Sequence, residues 1–168
     1  LRTIKRIPLT QGKEAIIDIE DWKLVKDYKW CVRKDHSTFY AYTGASKKRN
    51  HKNIQMHRLL MSVTKDKQVD HINHNGLDNR KSNLRVCSHS QNQQNKEPQK
   101  NVSSRYKGVV AVKNKKKWIA QIRINNKLNY LGYFDNEIEA AKAYDRASLK
   151  FHKEYGYLNF SEISNHVH

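Results

Sequence analysis

The chain has 168 residues, enough for one compact domain or two small ones, with 33 Lys+Arg against 16 Asp+Glu and a formal charge of +17. A surplus that large calls for a polyanion as partner, and a hydrophobic content of 37% suits small β-rich modules better than one large core. No apolar run approaches a spanning helix, and the basic residues sit on strand-like and loop-like segments, so a membrane partner is not expected.

In chain order, Ile16, Ile17 and Ile19 make a β-type run, and Glu20-Asp21-Trp22 opens a short helix through Val25. Residues 30–32 and 39–43 read as a strand pair. Residues 1–56 thus form a β-rich N-terminal part. Residues 57–97 lose apolar content and fill with Asn, His, Asp and Gln, which is poor core material and good site material. A polar stretch with Pro98 marks a linker at 98–103. Beyond it, 106–113 reads as a strand, and in 118–124 the residues Trp118, Ala120, Ile122 and Ile124 share one face while Gln121 and Arg123 take the other. Asn125-Asn126-Lys127 makes a turn into a third strand, 129–134. Asn136 with Glu139 resembles a capping box, and Ala140, Tyr144, Ala147 and Phe151 form one helical apolar stripe. Residues 104–160 therefore predict three antiparallel strands backed by one helix, followed by a tail, 161–168.

The charge is unevenly distributed. Between Asp35 and Asp66 there is no carboxylate, while Lys47, Lys48, Arg49, Lys52, Arg58 and Lys65 fall there. Between Glu97 and Asp135 there is again none, against nine Lys or Arg, with Tyr106, Trp118 and Tyr130 interleaved. That pattern is the footprint of nucleic-acid contact. The first six residues are not followed by an apolar core of a secretory signal, and the absence of an initiating Met points to a trimmed chain. Cys31 and Cys87 are far apart and form no metal-type pair, so a cytoplasmic, reducing setting is expected and a zinc ribbon is not.

Phosphodiester hydrolysis needs a base for a water, a cation for the scissile phosphate and a group that steadies the base. His71 suits the base, and Asp70 offers a hard carboxylate oxygen. On adjacent strand positions their side chains point oppositely, so one can hold metal while the other faces water. An amide oxygen from Asn92 completes the protein ligands. Two oxygen ligands with open positions favour Mg²⁺, with Mn²⁺ as substitute, over Zn²⁺. His71 and His74 have the spacing of half a zinc site, but no Cys or acidic partner follows suitably.

Asp70-His71, then Asn83-Leu84-Arg85, then Gln91-Asn92, with Met56-His57-Arg58-Leu59 upstream, resemble the HNH endonucleases of the phage and intron homing branch. The resemblance implies a ββα-metal nuclease core at 57–97. It assigns His71 as general base, Asp70 and Asn92 as metal ligands, and Asn83 as the residue steadying loop and base. Asn92 stands where many members carry His, a variant within that branch. Phage-type fusions are also resembled at the N-terminus, through 7–13 and 17–22.

Residues 104–160 resemble the APETALA2-type DNA-binding domain through Tyr106-Lys107-Gly108-Val109, 118–123, 131–135, 139–147 and 158–160. There the resemblance implies a sheet lying in the major groove of duplex DNA. Contacts are expected from Lys107, Gln121, Arg123, Tyr130 and the lysine loop Lys115, Lys116 and Lys117, with Lys47, Lys48 and Arg49 supplying basic contacts from the N-terminal part. Val110 and Val112 replace arginines usual in the plant proteins, leaving thymine methyls and the lysine loop as alternative contacts.

The combined expectation is an α+β, modular, metal-dependent endonuclease acting on double-stranded DNA, of homing type and without membrane contact. Its rivals are a non-catalytic DNA-binding regulator with a degenerate nuclease fold, and an RNA-binding protein, which lacks support from RNP-type aromatics. Monomer or homodimer, nick or double-strand break, homing or restriction-like role and target sequence all stay open.

Overall fold

The computed structural model describes residues 3–35, 38–44, 53–99, 102–113 and 116–160. It is a mixed α+β architecture with two three-stranded and two two-stranded antiparallel sheets among those residues. The chain divides into two units, Leu1–Asn92 and Gln93–His168. The boundary falls inside a helix rather than at 98–103, and most of the segment read as 57–97 shares its unit with the N-terminal part.

In the first unit, β1 (Ile4–Pro8) and β2 (Glu14–Asp18) form a hairpin. Its turn uses left-handed residues, Gln11 at φ 59° and Gly12 at φ 63°. A 3-10 turn (Ile19–Asp21) runs into α1 (Trp22–Val25). Next, β3 (Trp30–Asp35), β4 (Thr38–Thr43) and β5 (Ile54–Gln55) pair in that order, and α2 (Met56–Met61) follows. Strands β6 (Gln68–His71) and β7 (Leu84–Cys87) pair and lead to α3 (His89–Asn95), a ββα unit.

Period-two alternation turns Ile7, Ala15, Ile17 and Val32 inward, where Leu9, Val25, Trp30, Ala41, Met56 and Leu60 complete one core. Trp30 satisfies its buried indole by donating to the Val25 carbonyl, 2.9 Å away. The loop between β6 and β7 is fastened to β2. The Ile16 amide donates to the Leu77 carbonyl at 2.8 Å, and the Asn79 amide to the Ile16 carbonyl at 2.7 Å. Beside this, the Asp18 carboxylate accepts from the Lys81 amide at 2.9 Å, and Lys81 Nζ pairs with Asp21 at 2.6 Å. The N-terminal hairpin is thus a wall of the β6–β7 loop.

In the second unit, β8 (Val109–Ala111), β9 (Trp118–Ile124) and β10 (Lys127–Phe134) form a sheet in the order β10-β9-β8. The β9–β10 hairpin turns through Asn125 and Asn126 at φ 49° and 63°, the left-handed pair that two-residue hairpins require. Helix α4 (Glu137–His152) begins where the Asn136 side chain accepts from the Ile138 amide at 2.7 Å. Its alanines Ala140, Ala141, Ala143 and Ala147 let it lie close on the sheet against Val109, Ala120 and Ile122.

Two sequence expectations shift here. The first strand is only Val109–Ala111, because Gly108 adopts φ 75° against the Tyr144 ring and ends the extended run. Phe151 is exposed, and the inward position beside it belongs to His152. The helix's inner face also carries polar groups. Asp145 accepts from the Asn159 and Phe160 amides at 2.8 and 2.9 Å, and Ser148 Oγ donates to the Tyr157 carbonyl at 3.0 Å. These bonds dock residues 157–160, a requirement that an apolar stripe does not reveal.

Gly76 has no room for a side chain, since a Cβ would meet the Phe39 carbonyl oxygen at 2.5 Å and the Tyr40 ring at 2.6 Å. Gly76→Ala is expected to cost about 1–3 kcal/mol through overpacking. The measurement is the urea midpoint, and an unchanged midpoint would show that the loop yields freely.

Candidate active site and nucleic-acid interface

The β6–β7 loop is built from Asn and Asp side chains closing on nearby backbone, the chemistry that makes these residues turn formers. Asn73 Oδ1 accepts from the Asn75 amide at 3.0 Å, and Asn75 Oδ1 from the Leu77 amide at 3.1 Å. Asp78 is gripped by Arg80 through Nε at 2.7 Å and Nη2 at 2.6 Å, and by Asn73 Nδ2 at 2.9 Å. The Arg80 fork holds the Asp78 carboxyl below its ordinary range. Asn83, buried, spans the loop: its Oδ1 accepts from the Asn73 amide at 3.0 Å and its Nδ2 donates to the Asp78 carbonyl at 2.8 Å.

His71 closes β6, with 5% of its surface exposed. Its Nε2 lies 3.4 Å from Asn79 Oδ1. Asn79 Nδ2 donates to the Leu77 carbonyl at 3.1 Å, which orients the amide with its oxygen toward the imidazole. In that arrangement Nε2 carries the proton and Nδ1 the lone pair of the neutral ring. Burial pushes the His71 pKa below its ordinary value, opposed by the Asn79 bond and the charges of Asp70 and Asp78. The Asn79 amide thus reaches the imidazole, while the hydrogen bonds of Asn83 hold the loop.

His57, from α2, meets His71 edge to face with ring centroids 5.0 Å apart, and Tyr40 packs on both at 5.5 and 5.6 Å. His57 Nδ1 is buried with no hydrogen-bond partner among the described residues. Burial, reinforced by His71 and Arg58, lowers its pKa from 6.5 to about 3.

Asp70 meets other neighbours. Its Oδ2 accepts from Arg85 Nε at 2.9 Å and Nη2 at 2.6 Å, across the β6–β7 register. Gln68 shares the Asp70 face of the strand, and its Oε1 accepts from Asn92 Nδ2 at 2.6 Å. His89 Nδ1 lies 3.0 Å from Gln68 Nε2. The Asp70 carboxylate and the amides of Gln68 and Asn92 are thus on one side of β6. Another acidic group, Asp18, Glu20 and Asp21, brings ligand atoms within 4.8 Å of one another, but Lys81 already answers it.

In the second unit, Gln121, Arg123 and Tyr130 lie on the sheet face turned away from α4, with Gln121 opposite Tyr130 and Arg123 opposite Leu128. Lys116 is exposed, and Lys117 pairs with Asp135 at 3.0 Å on the surface. Lys107 has a different position: its Nζ donates to the carbonyls of Gln93, Gln94 and Lys96 at the end of α3, with the Gln94 bond at 2.7 Å. Burial, then Lys96, lowers its pKa to about 8. That ammonium serves the fold, a local role that residue type alone did not reveal. Lys47, Lys48, Arg49 and Lys115 lie outside the described residues. No helix among the described residues is long and apolar enough to cross a membrane.

Sequence reading missed Asn79, Tyr40 and Gln68 as site members, and quoted His57 and Arg85 within the resembling motifs without giving either a role. Asp78-Asn79 carried the only local signal for its residue, and it reads equally as plain turn chemistry. The His57 and Tyr40 placements depend on packing between distant segments.

Because His57 is held neutral when folded and titrates near its ordinary value when unfolded, the unfolded chain binds more protons between about pH 3 and 6.5. Stability should therefore fall as pH drops through that window. His57→Gln should flatten the slope of urea-derived stability against pH, and an equally steep slope would assign the acid sensitivity elsewhere.

Residues 62–94, which include Asp70, His71, Asn83 and Asn92, match the family model described as HNH endonuclease. The chain is 28% identical over 155 residues to an uncharacterized HNH endonuclease of Acanthamoeba polyphaga mimivirus, covering 89% of this chain and 76% of that protein. It is also 40% identical over 67 residues to APETALA2-like protein 2 of Oryza sativa subsp. indica, covering 39% of this chain and 15% of that protein. With the AP2/ERF and B3 domain-containing transcription factor RAV1 of Arabidopsis thaliana it shares 40% over 78 residues, or 46% of this chain and 22% of the relative. The HNH matches support a nuclease in general terms, and the plant matches, each a small part of its relative, support contact with DNA.

Proposed function

We propose that the chain is a metal-dependent endonuclease that hydrolyses phosphodiester bonds in double-stranded DNA at preferred sites. The observation that carries this reading is the pairing of His71 with Asn79, which leaves Nδ1 as the basic nitrogen of a neutral imidazole. In the proposed reaction His71 Nδ1 takes a proton from a water. The water oxygen forms a bond to phosphorus, the bond to the departing sugar oxygen breaks as that oxygen takes a proton from a solvent water, and His71 returns its proton to the hydroxide so left. Asn79 keeps the ring in the productive tautomer and stabilises the imidazolium that forms. Asn83 acts one step removed, by keeping the loop that presents Asn79.

The donor set beside His71 fits a hard divalent cation. Asp70 offers a carboxylate and Asn92 an amide oxygen, with Gln68 holding the Asn92 amide. When bound, Mg²⁺ or Mn²⁺ would supply Lewis-acid stabilisation of the phosphate and the departing oxygen. Arg85 orients the Asp70 carboxylate and adds positive charge beside it. The second unit is the proposed reader of DNA, joined to the nuclease in one chain as in a homing enzyme.

A second reading draws on the same Arg85 contact. A guanidinium already neutralises Asp70, as a DNA-binding regulator without a metal would need. The two separate with a supercoiled plasmid carrying a binding site selected with the full chain. With Mg²⁺ or Mn²⁺ it is expected to relax or linearise, EDTA should prevent this, and His71→Ala should lower the rate on the order of 10²–10⁴-fold. Duplex affinity of that variant should stay near wild type. An intact plasmid in either metal, or equal cutting by the variant, would favour the regulator.

Phosphate contact by a chain of charge +17 also has a salt signature. Duplex affinity should fall on the order of 10³-fold between about 50 and 200 mM salt through counterion release. A flat response, read by fluorescence anisotropy, would remove the phosphate-contact account of the charge.

A further inference from the structure

The exposed sheet face of the second unit carries an arrangement that the nuclease reading does not use. Three rungs cross it. Val110 and Tyr133 both pair with Ile119, Gln121 pairs with Tyr130, and Arg123 pairs with Leu128. Direct cross-strand partners share a face, and Ala120 and Ile122 point the other way into the helix. The register shift between Tyr130 and Gly132 brings Tyr133 back to the outer side with Tyr130, and both tyrosines are 68% exposed. Leu128 is 44% exposed and Val110 is exposed as well. Leu128, Tyr130 and Tyr133 therefore stand in water on this face, while Val110 and Gln121 line an open cavity together with Glu97, Pro98 and Val102.

Such a face wants a partner, and the charge around it selects one. From Pro98 to Phe134 the chain has nine Lys or Arg and no carboxylate. Exposed apolar groups on so basic a stretch of chain suit a polyanion that itself displays apolar groups. The major groove of duplex DNA does so at one base alone, through the C5-methyl of thymine. A Gln amide is the bidentate complement of adenine N6 and N7, and adenine's partner presents that methyl beside it.

Resting on the reading of this unit as the DNA reader, we propose that the sheet face recognises A·T pairs in the major groove. Gln121 contacts adenine, and the Val110, Ile119 and Leu128 side chains pack on thymine methyls. Arg123, opposite Leu128, adds a guanine or phosphate contact at the edge of that stretch.

The test uses the full chain in EDTA, so that bound duplex stays uncut. A random 20-base-pair duplex library is selected for binding, and the selected duplex is resynthesised with uracil at single thymine positions. Uracil keeps pairing and the minor groove while deleting only the methyl. The expected result is a selected site with A·T pairs, at which each contacted thymine-to-uracil change weakens binding about fourfold, the value of one buried methyl-sized group. Leu128→Ser should narrow that ratio toward one at its thymine. A selected site of G·C pairs alone, or uracil duplexes bound within twofold of thymine duplexes at every position, would overturn the proposal. Cleavage of the plasmid would survive that result, since it reports on His71. Failure to enrich any duplex, or preference for single-stranded RNA competitor, would overturn both this inference and the reading of the unit as a DNA reader.

Discussion

A short parallel bridge between Ile16 and Asp78 is the contact on which the nuclease-like unit depends. Two backbone hydrogen bonds, Ile16 to Leu77 and Asn79 to Ile16, fix the β6–β7 loop against the N-terminal hairpin. Leu77 is thereby packed on the main core, and Asn79 is fully buried with its amide locked. The imidazole of His71 takes its tautomer from that amide. A polar loop of this composition has little apolar surface to bury, so satisfied hydrogen bonds, rather than area, keep it in one conformation.

Burial around His71 comes from elsewhere in the chain. Tyr40 belongs to β4 and His57 to α2, and together they shield one side of the ring. A neutral His57 adds no charge beside His71, and its Nδ1, without a hydrogen-bond partner among the described residues, is the cost of placing a second imidazole there. Asp70, one residue before His71, sits among Arg85, Gln68 and Asn92 instead. A single step along β6 thus separates two electrostatic environments, one around a buried imidazole and one around a carboxylate paired with a guanidinium.

The second unit solves a different problem. A three-stranded sheet with one helix can cover only one face, and α4 takes the inner one with small alanines. The outer face leaves Leu128, Tyr130 and Tyr133 in solvent. Lys107 shows that not every cation in this unit waits for phosphate, because its ammonium closes the carbonyl end of α3. Lys116 and Arg123 are exposed nearer the sheet's loops, with Arg123 donating to the Asn126 carbonyl at 3.0 Å.

The sequence by itself determined the local order. The alternation in 118–124, the Asn125-Asn126 turn, the Asn136 cap and the clustering of Asp70, His71, Asn83 and Asn92 all rest on interactions within a few residues, or on spacing along one element. Length, charge and those motifs were enough to expect an α+β chain that touches nucleic acid. Only the tertiary structure decided which polar group meets which. Asn79 rather than Asn83 faces His71, His152 rather than Phe151 turns inward, and Lys107 is consumed by α3. Those outcomes depend on segments up to 63 residues apart, as with Asp18 and Lys81, and hydrogen bonds closed over such distances leave no periodicity in the chain.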